Sequence, residues 1–450
     1  MATLSSEQRG TWNSKLGFIL AAAGSAVGLG NIWRFPTETA ENGGAAFLIV
    51  YLICTFLIGF PVMMAELSIG RSTQKNPVGA FKALSNSKFF PFVGMWGILC
   101  GVMILSFYTV VAGWTLSYVF VQIFSFFEQD SIATLLADAE NGWVNGFFAS
   151  IFMITTIMIV RGGVSDGIER ATKLMMPLLL LILLMMTGYT LTLDGAMEGV
   201  QVYLRPDFSK VDGGLVLSAL GQAFFSLSLG MGALITYGSY LSRRENVAGA
   251  AAAVTLSDVS IAFLAGFLIL PAMFVAQGQG EQIFTDTGSL LAGPALIFQV
   301  LPTVFDQIGG VFGLLLSVTF FLLLSIAALT STISLLEVPV SYTIDELGWK
   351  RKSAALKVGL GILAISLLIS FNISLIDRID FIFSTMGLPI GGFLIAIFVG
   401  YIWKTSNAVQ EIESGNENFS SSIVGKLWPF FIKVICPVLI LIVILQTILA

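Results

Sequence analysis

The stretch GSAVGLGNIWRFP, Gly24 to Pro36, interrupts the first long apolar run of a 450-residue chain. Three glycines, an asparagine and an arginine stand there, where an ordinary membrane helix would carry hydrocarbon side chains. Lipid offers the backbone no hydrogen bonds, so such a break is tolerated only where protein buries it or where it lines a water-filled cavity. A second interruption, SLSLGMG at Ser226–Gly232, follows near the middle of the chain. Paired interruptions in corresponding halves indicate a binding site at the membrane midplane.

The composition is that of a polytopic membrane protein. The chain is 56% hydrophobic and only 11% charged, with a mean hydropathy of +0.90, so the lipid bilayer is its first expected partner. It contains no histidine, no basic tract typical of nucleic-acid binding, and no nucleophile–base or metal-ligand constellation. We therefore expect no enzyme activity, no nucleic-acid partner and no obligatory protein partner.

Apolar segments predict an all-α protein with eleven membrane helices. They lie near residues 12–36, 42–70, 90–125, 142–160, 166–191, 214–241, 246–276, 309–342, 354–373, 379–403 and 427–449. The stretch 280–306 is semi-apolar and is broken by Gly293, Pro294 and Pro302, so we expect a re-entrant or capping loop there.

Positive charge predicts the orientation. With the N-terminus inside, seventeen lysines and arginines fall on the inner side, and three, Arg205, Lys210 and Arg378, fall on the outer side. Because positive charge is retained in the cytoplasm, this bias predicts a cytoplasmic N-terminus. An odd number of spans then puts the C-terminus outside.

The two interruptions divide the chain into two groups of five helices. Helices 1–5 occupy residues 1–191 and helices 6–10 occupy residues 214–403, and each group opens with a broken helix. An odd number of spans in each repeat turns the second copy upside down, and inverted repeats are typical of transporters. Helix 11, at 427–449, is then peripheral, and residues 1–450 form one transmembrane transporter domain.

A broken helix exposes two kinds of backbone group. The upstream half ends in carbonyls without helical partners, and the downstream half begins with free amides at the positive end of its dipole. Carbonyl oxygens suit a small hard cation such as Na⁺, and amides suit a carboxylate. Gly24, Gly28 and Gly30 permit close approach to the backbone, and Asn31 adds a side-chain oxygen. The pattern therefore predicts a site for Na⁺ and an amino-acid carboxylate side by side.

Three acidic residues, Glu66, Asp258 and Glu337, lie within predicted spans, where a charge is costly and usually has a function. For Glu66 and Glu337 we favour a structural role in which the carboxylate accepts hydrogen bonds from the backbone. Asp258 is the exception, and the motifs below give it a role in ion binding.

Four motifs carry a resemblance to a known family. They are GSAVGLGNIWRFP, ENGG at Glu41–Gly44, QAFFSLSLGMG at Gln222–Gly232 and ALTST at Ala328–Thr332. Over nearly its whole length the chain resembles the neurotransmitter:sodium symporter family, and within it the bacterial eleven-span transporters of hydrophobic amino acids. The resemblance implies a LeuT-like fold, in which a 5+5 inverted repeat has discontinuous helices 1 and 6. It also implies a multi-pass protein of the bacterial cytoplasmic (inner) membrane.

The resemblance further implies the residues that meet each ligand, none of them catalytic. The substrate would contact Ser25, Ala26, Gly28, Leu29, Gly30, Ile104, Tyr108, Phe225, Ser226, Ser228, Met231, Ser331 and Leu335. A first Na⁺ would be bound by Ala26, Asn31, Ser226 and Asp258. A second Na⁺ would be bound by Gly24, Val27, Ala327, Thr330 and Ser331.

Two of these positions narrow the expected substrate and ions. Family members that carry monoamines have an aspartate at the position of Gly28, in place of the missing substrate carboxylate, so glycine implies a substrate that brings its own. The uncharged lining favours hydrophobic L-amino acids. Asp258 supplies a negative charge beside the first Na⁺, which predicts transport that does not depend on chloride.

The resemblance also implies a gate on each side of the site. Arg34 and Asp380 would pair on the outer side. Arg9 and Asp345 would pair on the inner side, near Trp12 and Tyr240.

The sequence leaves two alternatives open. A proton-coupled amino-acid carrier on the same fold usually replaces the second Na⁺ with a lysine or similar cation in span five, where Lys173 lies. The intact Thr330–Ser331 pair favours Na⁺. A membrane sensor that binds an amino acid without moving it would fit the same motifs.

Overall fold

The structure, a computed structural model, describes residues 10–278, 280–284, 297–298 and 301–449. These residues form helices joined by turns, and a β-bridge joins Gly44 to Pro206. Arg9 and most of the predicted loop at 280–306 lie outside the described residues.

The main helices are numbered here in chain order. They are α1 (Lys15–Ala26), α2 (Gly30–Glu41), α3 (Ala45–Thr73), α4 (Phe90–Phe126), α5 (Gly142–Arg161), α6 (Val164–Thr190), α7 (Gly213–Ser226), α8 (Ala233–Gly238), α9 (Val247–Gly278), α10 (Gly310–Leu347), α11 (Arg351–Ser370), α12 (Ser374–Ile402) and α13 (Ile423–Thr447). Shorter helices connect them at Pro77–Leu84, Asp130–Ala137, Ala196–Leu204, Leu301–Ile308 and Thr405–Glu413.

Fewer helices are long enough to cross a membrane than the sequence predicts. Among the described residues, nine helices are long and apolar enough to cross a bilayer, and α1 with α2, bent by 54°, make up to ten. The predicted sixth span corresponds to α7 and α8, which are 14 and 6 residues long, too short for either to cross alone. The count of eleven is therefore not confirmed, whereas the breaks in the first and sixth spans are present.

The first break follows a helix that is capped at its N-terminus and is then interrupted by glycines. Ser14 caps α1, because its hydroxyl accepts the Gly17 amide at 3.0 Å. Val27 leaves the helix with φ −76° and ψ 111°, and the chain resumes as a π-helical turn at Gly30. A side chain at Gly28 would lie 2.5 Å from Ser331 Oγ, so glycine lets the chain pass close to α10.

The second break is longer and contains left-handed backbone. Ser228, Gly230 and Gly232 have φ values of 54°, 80° and 77°. A Cβ on Gly230 would lie 2.2 Å from the carbonyl oxygen of Leu388, so this close approach to α12 requires glycine. The Glu66 carboxylate on α3 accepts the Gly230 amide at 2.7 Å and holds the segment in place.

The two breaks meet in the centre of the bundle. The Ser228 hydroxyl donates to the carbonyl oxygen of Ser25 at 2.8 Å, which links the second break to the first. Large apolar side chains such as Leu174, Leu368 and Met158 are exposed on the outer surface, as expected for a face that meets lipid. Cys54, Cys100 and Cys436 are free thiols and are buried.

Candidate functional site

A wide cavity leads from one face of the molecule to the first break and to Phe225, just before the second. It encloses about 600 Å³, and the exposed residues Glu41 and Asp377 lie at its mouth. We call it the vestibule, and the side on which it opens the vestibule face. Its floor is formed by Gly30, Tyr108 and Phe225.

A second cavity lies beyond this floor, between the breaks. We call it the inner cavity; Gly30, Tyr108 and Phe225 line both cavities and so separate them. Its lining comprises Ser25, Ala26, Gly28, Gly30, Ile104, Tyr108, Phe225, Ser228, Met231, Ser331 and Leu335. Of the predicted substrate residues, only Leu29 and Ser226 are absent from it: Leu29 lines the vestibule and Ser226 lies beside Asp258.

The inner cavity is narrow. Its volume of about 20 Å³ is room for roughly one water molecule. An amino-acid side chain can enter only if flexible wall residues such as Met231 move aside. At its polar end, the Leu29 amide donates to the Tyr108 hydroxyl at 3.1 Å, and the Gly28 amide donates to Asn31 Oδ1 at 3.0 Å.

The first predicted sodium position centres on Asp258 of α9. Asn31 Nδ2 donates to Asp258 Oδ1 at 2.7 Å, and the Ser226 hydroxyl lies 2.8 and 2.9 Å from its two carboxylate oxygens. Tyr51 donates to Oδ2 at 3.2 Å. Ala26, the remaining predicted ligand, is the last residue of α1. The structure therefore brings α2, α3, α7 and α9 together at this point.

The residues at this position fit a sodium ion. Asp258 is fully buried, and its hydrogen-bond donors among the described residues, Asn31, Ser226 and Tyr51, are all neutral. A buried carboxylate without a cation is costly, and a cation beside it removes that cost. Carbonyl, hydroxyl and carboxylate oxygens are hard ligands of the kind that Na⁺ takes at helix breaks.

The second predicted sodium position lies between α1 and α10. Thr330 Oγ1 is 2.8 Å from the Ala327 carbonyl oxygen and 3.3 Å from that of Val27, and Ser331 Oγ is 3.5 Å from the Ala327 oxygen. A Cβ on Gly24 would lie 3.2 Å from Thr330 Cβ, so this glycine borders the same spot. All five predicted residues are thus gathered where α1 unwinds, and their oxygens also fit Na⁺.

Lys173 has a different partner from the one the proton-coupled alternative requires. Its ammonium forms an ion pair with Glu169 at 2.6 Å, one turn earlier on α6. The α6 side chain that approaches Gly24 is Met176, whose sulfur would lie 3.2 Å from a Cβ there. The second sodium position is therefore bordered by a thioether on this side.

The vestibule gate differs from the predicted pairing. Arg34 and Asp380 both line the vestibule, but the ion pair that Arg34 forms within the described part of the chain is with Glu38, at 3.7 Å. The guanidinium also lies 5.4 Å from the centre of the Phe225 ring, a cation–π contact. The predicted Arg34–Asp380 pair is not formed because the open vestibule separates the two walls.

The opposite end of the pathway is closed by a network around Tyr240. Trp12 donates its indole N–H to the Tyr237 carbonyl at 3.1 Å, and its ring lies 6.2 Å from that of Tyr240. Tyr240 donates to Glu337 at 2.6 Å, and Arg351 pairs with the other Glu337 oxygen at 2.5 Å.

Of the predicted inner ion pair, only Asp345 lies within the described residues. Asp345 accepts hydrogen bonds from the Asn76 backbone and side-chain nitrogens at 2.8 and 3.1 Å. Its predicted partner, Arg9, lies outside the described residues.

Sequence reasoning missed Arg351 as part of this closure. It treated the residue as one of many charges on the inner side and expected the Glu337 carboxylate to bind backbone. The signal was available, because an acid buried in a span needs a partner and Arg351 begins the next helix.

The chain matches the model of the sodium:neurotransmitter symporter family over residues 9–129 and 123–450. The protein belongs to this family. The symporter is similar to two proteins described as uncharacterized sodium-dependent transporters. YhdH of Bacillus subtilis (strain 168) is 34% identical over 97% of this chain and 97% of its own length. A protein of Haemophilus influenzae is 34% identical over 98% of each chain.

A solved structure also resembles this symporter. The crystal structure of MhsT in complex with L-phenylalanine matches it with a TM-score of 0.86 and 44% sequence identity, covering 98% of this chain and 100% of that one. The LeuT-like fold predicted from the sequence is therefore confirmed. The symporter is a multi-pass membrane protein that couples transport to Na⁺ and is not an enzyme.

Proposed function

We propose that this symporter imports hydrophobic L-amino acids by alternating access, using two Na⁺ sites and no chloride. The observation that carries the proposal is the inner cavity. It has apolar walls, and the buried Asp258 carboxylate beside it accepts hydrogen bonds only from neutral described groups.

The chemistry of the cavity supports an amino acid as the substrate. The Leu29 amide and the Tyr108 hydroxyl stand at its polar end, where a carboxylate would take over the hydrogen bond between them. Ile104, Met231 and Leu335 offer an apolar surface with no charge for a polar side chain. The related MhsT holds L-phenylalanine, a member of the same chemical class.

Two sodium ions bind to the oxygen atoms at the two predicted sodium positions. One lies against Asp258 and the substrate carboxylate, and the other lies among the carbonyls of Gly24, Val27 and Ala327 and the hydroxyls of Thr330 and Ser331. Two Na⁺ entering with a zwitterion carry positive charge inward. An inside-negative potential of 100 mV then contributes about 2.3 kcal/mol for each charge moved.

Asp258 makes chloride unnecessary. The human relative GABA transporter 2 is described as sodium- and chloride-dependent, and chloride brings a negative charge. The Asp258 carboxylate, 2.7 Å from Asn31 Nδ2, contributes the same charge from within the chain.

The orientation follows from the distribution of positive charge. The vestibule face is the outer face of a bacterial inner membrane, the N-terminus is cytoplasmic and the C-terminus is outside. In the closed state, Arg34 turns from Glu38 to Asp380, and Phe225 and Tyr108 close over the substrate. Opening to the inside then requires the Trp12–Tyr240 network and the predicted Arg9–Asp345 pair to separate.

Uptake by purified protein in liposomes tests the proposal. Labelled leucine, phenylalanine and tryptophan are supplied with an inward gradient of Na⁺, K⁺ or protons in turn, with chloride or gluconate as the anion. We expect accumulation only with the Na⁺ gradient, acceleration by an inside-negative potential and no change when gluconate replaces chloride. Glutamate and lysine serve as charged control substrates and should not accumulate.

Each rival gives a different outcome. Accumulation driven by a proton gradient without Na⁺ contradicts sodium coupling and favours the proton-coupled carrier. Sodium-dependent binding of leucine without any accumulation favours a sensor. Loss of uptake in gluconate contradicts the role given to Asp258.

A further inference from the structure

Ser25 is one of the polar residues that line the inner cavity, together with Tyr108, Ser228 and Ser331. The Ser25 hydroxyl donates to the Ser334 hydroxyl on α10 at 2.8 Å. Ser334 in turn donates to the Ser331 carbonyl oxygen at 2.8 Å. Both serines are almost completely buried. A chain of hydroxyls therefore runs from the cavity wall into α10.

The direction of this chain determines what Ser25 can offer. Its proton points away from the cavity, toward Ser334, because the Ser334 proton is already given to the Ser331 carbonyl. No described donor is bonded to Ser25 Oγ, whose lone pairs are therefore available to the cavity. The Ser228 hydroxyl donates to the Ser25 carbonyl oxygen and fixes the backbone beside it.

The walls opposite can make room for a ring. Met231 and Leu335 line the cavity, and Gly101 of α4 lies beside the Leu335 side chain and the Met231 carbonyl oxygen. A Cβ on Gly101 would lie 3.9 Å from Leu335 Cδ2 and 3.9 Å from the Met231 carbonyl oxygen, so the Leu335 side chain has about the space of one methyl group into which it can shift. Met231 is flexible enough to adopt another rotamer. An aromatic side chain can then reach past them and bring its edge toward Ser25.

We propose that Ser25 is a specificity residue that accepts a hydrogen bond from a donor on an aromatic substrate ring. This inference rests on the proposed function and adds a preference, within its substrate class, for amino acids with a phenol O–H or an indole N–H. In an apolar cavity, a single placed acceptor distinguishes such a ring from one of the same size without a donor. A neutral hydrogen bond of ordinary strength corresponds to roughly a fivefold difference in affinity.

The test compares tyrosine with 4-fluoro-L-phenylalanine, which has nearly the same size but no ring donor. Each compound competes with labelled substrate in Na⁺-driven uptake, and the ratio of their half-inhibition concentrations is measured. We expect Ser25→Ala to shift this ratio about fivefold toward the fluoro compound. Because the ratio is taken within one variant, a general loss of activity cancels.

Ser341→Ala is the matched control. Ser341 is a buried serine on the same helix as Ser334, and its hydroxyl donates to Val338 outside the inner cavity. This variant should keep the wild-type ratio. A Ser25→Ala ratio equal to that of wild type would overturn the inference, as would an equal shift in Ser341→Ala.

A measurement on the unaltered protein covers the case in which Ser25→Ala does not fold. Tryptophan is compared with 3-benzothienyl-L-alanine, in which sulfur replaces the ring N–H. Tighter binding of tryptophan supports the inference, and equal or weaker binding overturns it. Absence of Na⁺-driven uptake for every compound contradicts the proposed function itself, whereas uptake without ring discrimination contradicts only this inference.

Discussion

The first break, between α1 and α2, leaves its amides to side chains that a ligand can displace, whereas the second, between α7 and α8, is fixed by a buried carboxylate. At the first, the partners are Asn31 Oδ1 and the Tyr108 hydroxyl. At the second, Glu66 holds the Gly230 amide. The glycines differ in the same way: an added methyl at Gly28 meets side-chain ends, and one at Gly230 meets backbone. The first break is thus an adjustable binding element, and the second is a rigid frame for it.

The largest effect is expected from Gly230→Ala. The methyl would lie 2.2 Å from the Leu388 carbonyl oxygen, and alanine is strained at φ 80°. Strain and overpacking together cost about 3 kcal/mol or more. The midpoint of thermal unfolding in detergent should fall accordingly. Gly361→Ala, whose methyl meets nothing within 4 Å, is the control, and equal midpoints for the two variants would show that the second break is not rigid.

The next effect in size is expected from Asp258→Asn at the first break. The variant keeps the shape but loses the charge that faces Na⁺, and a hydrogen bond or contact to a charged group contributes about 1.5–3 kcal/mol. The Na⁺ concentration for half-maximal uptake should therefore rise roughly 10- to 100-fold. Added chloride should restore part of the loss.

Asp138→Asn, which removes an exposed carboxylate on a connecting segment, provides the comparison for that measurement. It should leave the Na⁺ requirement unchanged. If Asp258→Asn behaves in the same way, the buried carboxylate does not contribute to ion binding.

A smaller effect, largely on substrate binding, is expected from Gly28→Ala. Its methyl would lie 2.5 Å from Ser331 Oγ and 2.9 Å from the Tyr108 oxygen, and both atoms can move. Stability should fall by about 1 kcal/mol, the lower end of the cost of overpacking, while substrate affinity falls about tenfold because the space near the carboxylate is filled. A scintillation-proximity assay measures the substrate affinity, and thermal unfolding measures the stability. A fall in the unfolding midpoint as large as that of Gly230→Ala would contradict the proposed difference between the two breaks.

The smallest effect is expected from Tyr108→Phe. The variant removes one neutral hydroxyl, the partner of the Leu29 amide at 3.1 Å, and a neutral hydrogen bond contributes about 1 kcal/mol. Substrate affinity should fall roughly fivefold, with little change in the Na⁺ requirement. A change larger than that of Gly28→Ala would mean that the tyrosine also holds the first break in shape.

Much of the fold was predictable because its signals are local. Glycines and polar residues inside apolar runs mark both breaks, and the short motifs around Asn31 and Thr330 point to the oxygens gathered at each predicted sodium position. The broken sixth span was predictable for the same reason, although its two short halves do not reach the length of an ordinary span.

The remainder depends on contacts between distant segments or on the conformation adopted. The link between Ser25 and Ser334 joins residues 309 positions apart, and no sequence motif around either serine predicts it. Arg34 pairs with Glu38 rather than Asp380 because the vestibule is open, and a sequence does not specify which state of a transporter is populated.

The three native thiols give the protein a practical advantage for the study of its motions. Cys54, Cys100 and Cys436 are enclosed by the bundle, and buried thiols react poorly. A single cysteine placed at the rim, at Ser374 for example, can therefore be labelled with a membrane-impermeant maleimide without first removing the native ones. The labelling rate from each side of a vesicle would then report opening and closing during turnover.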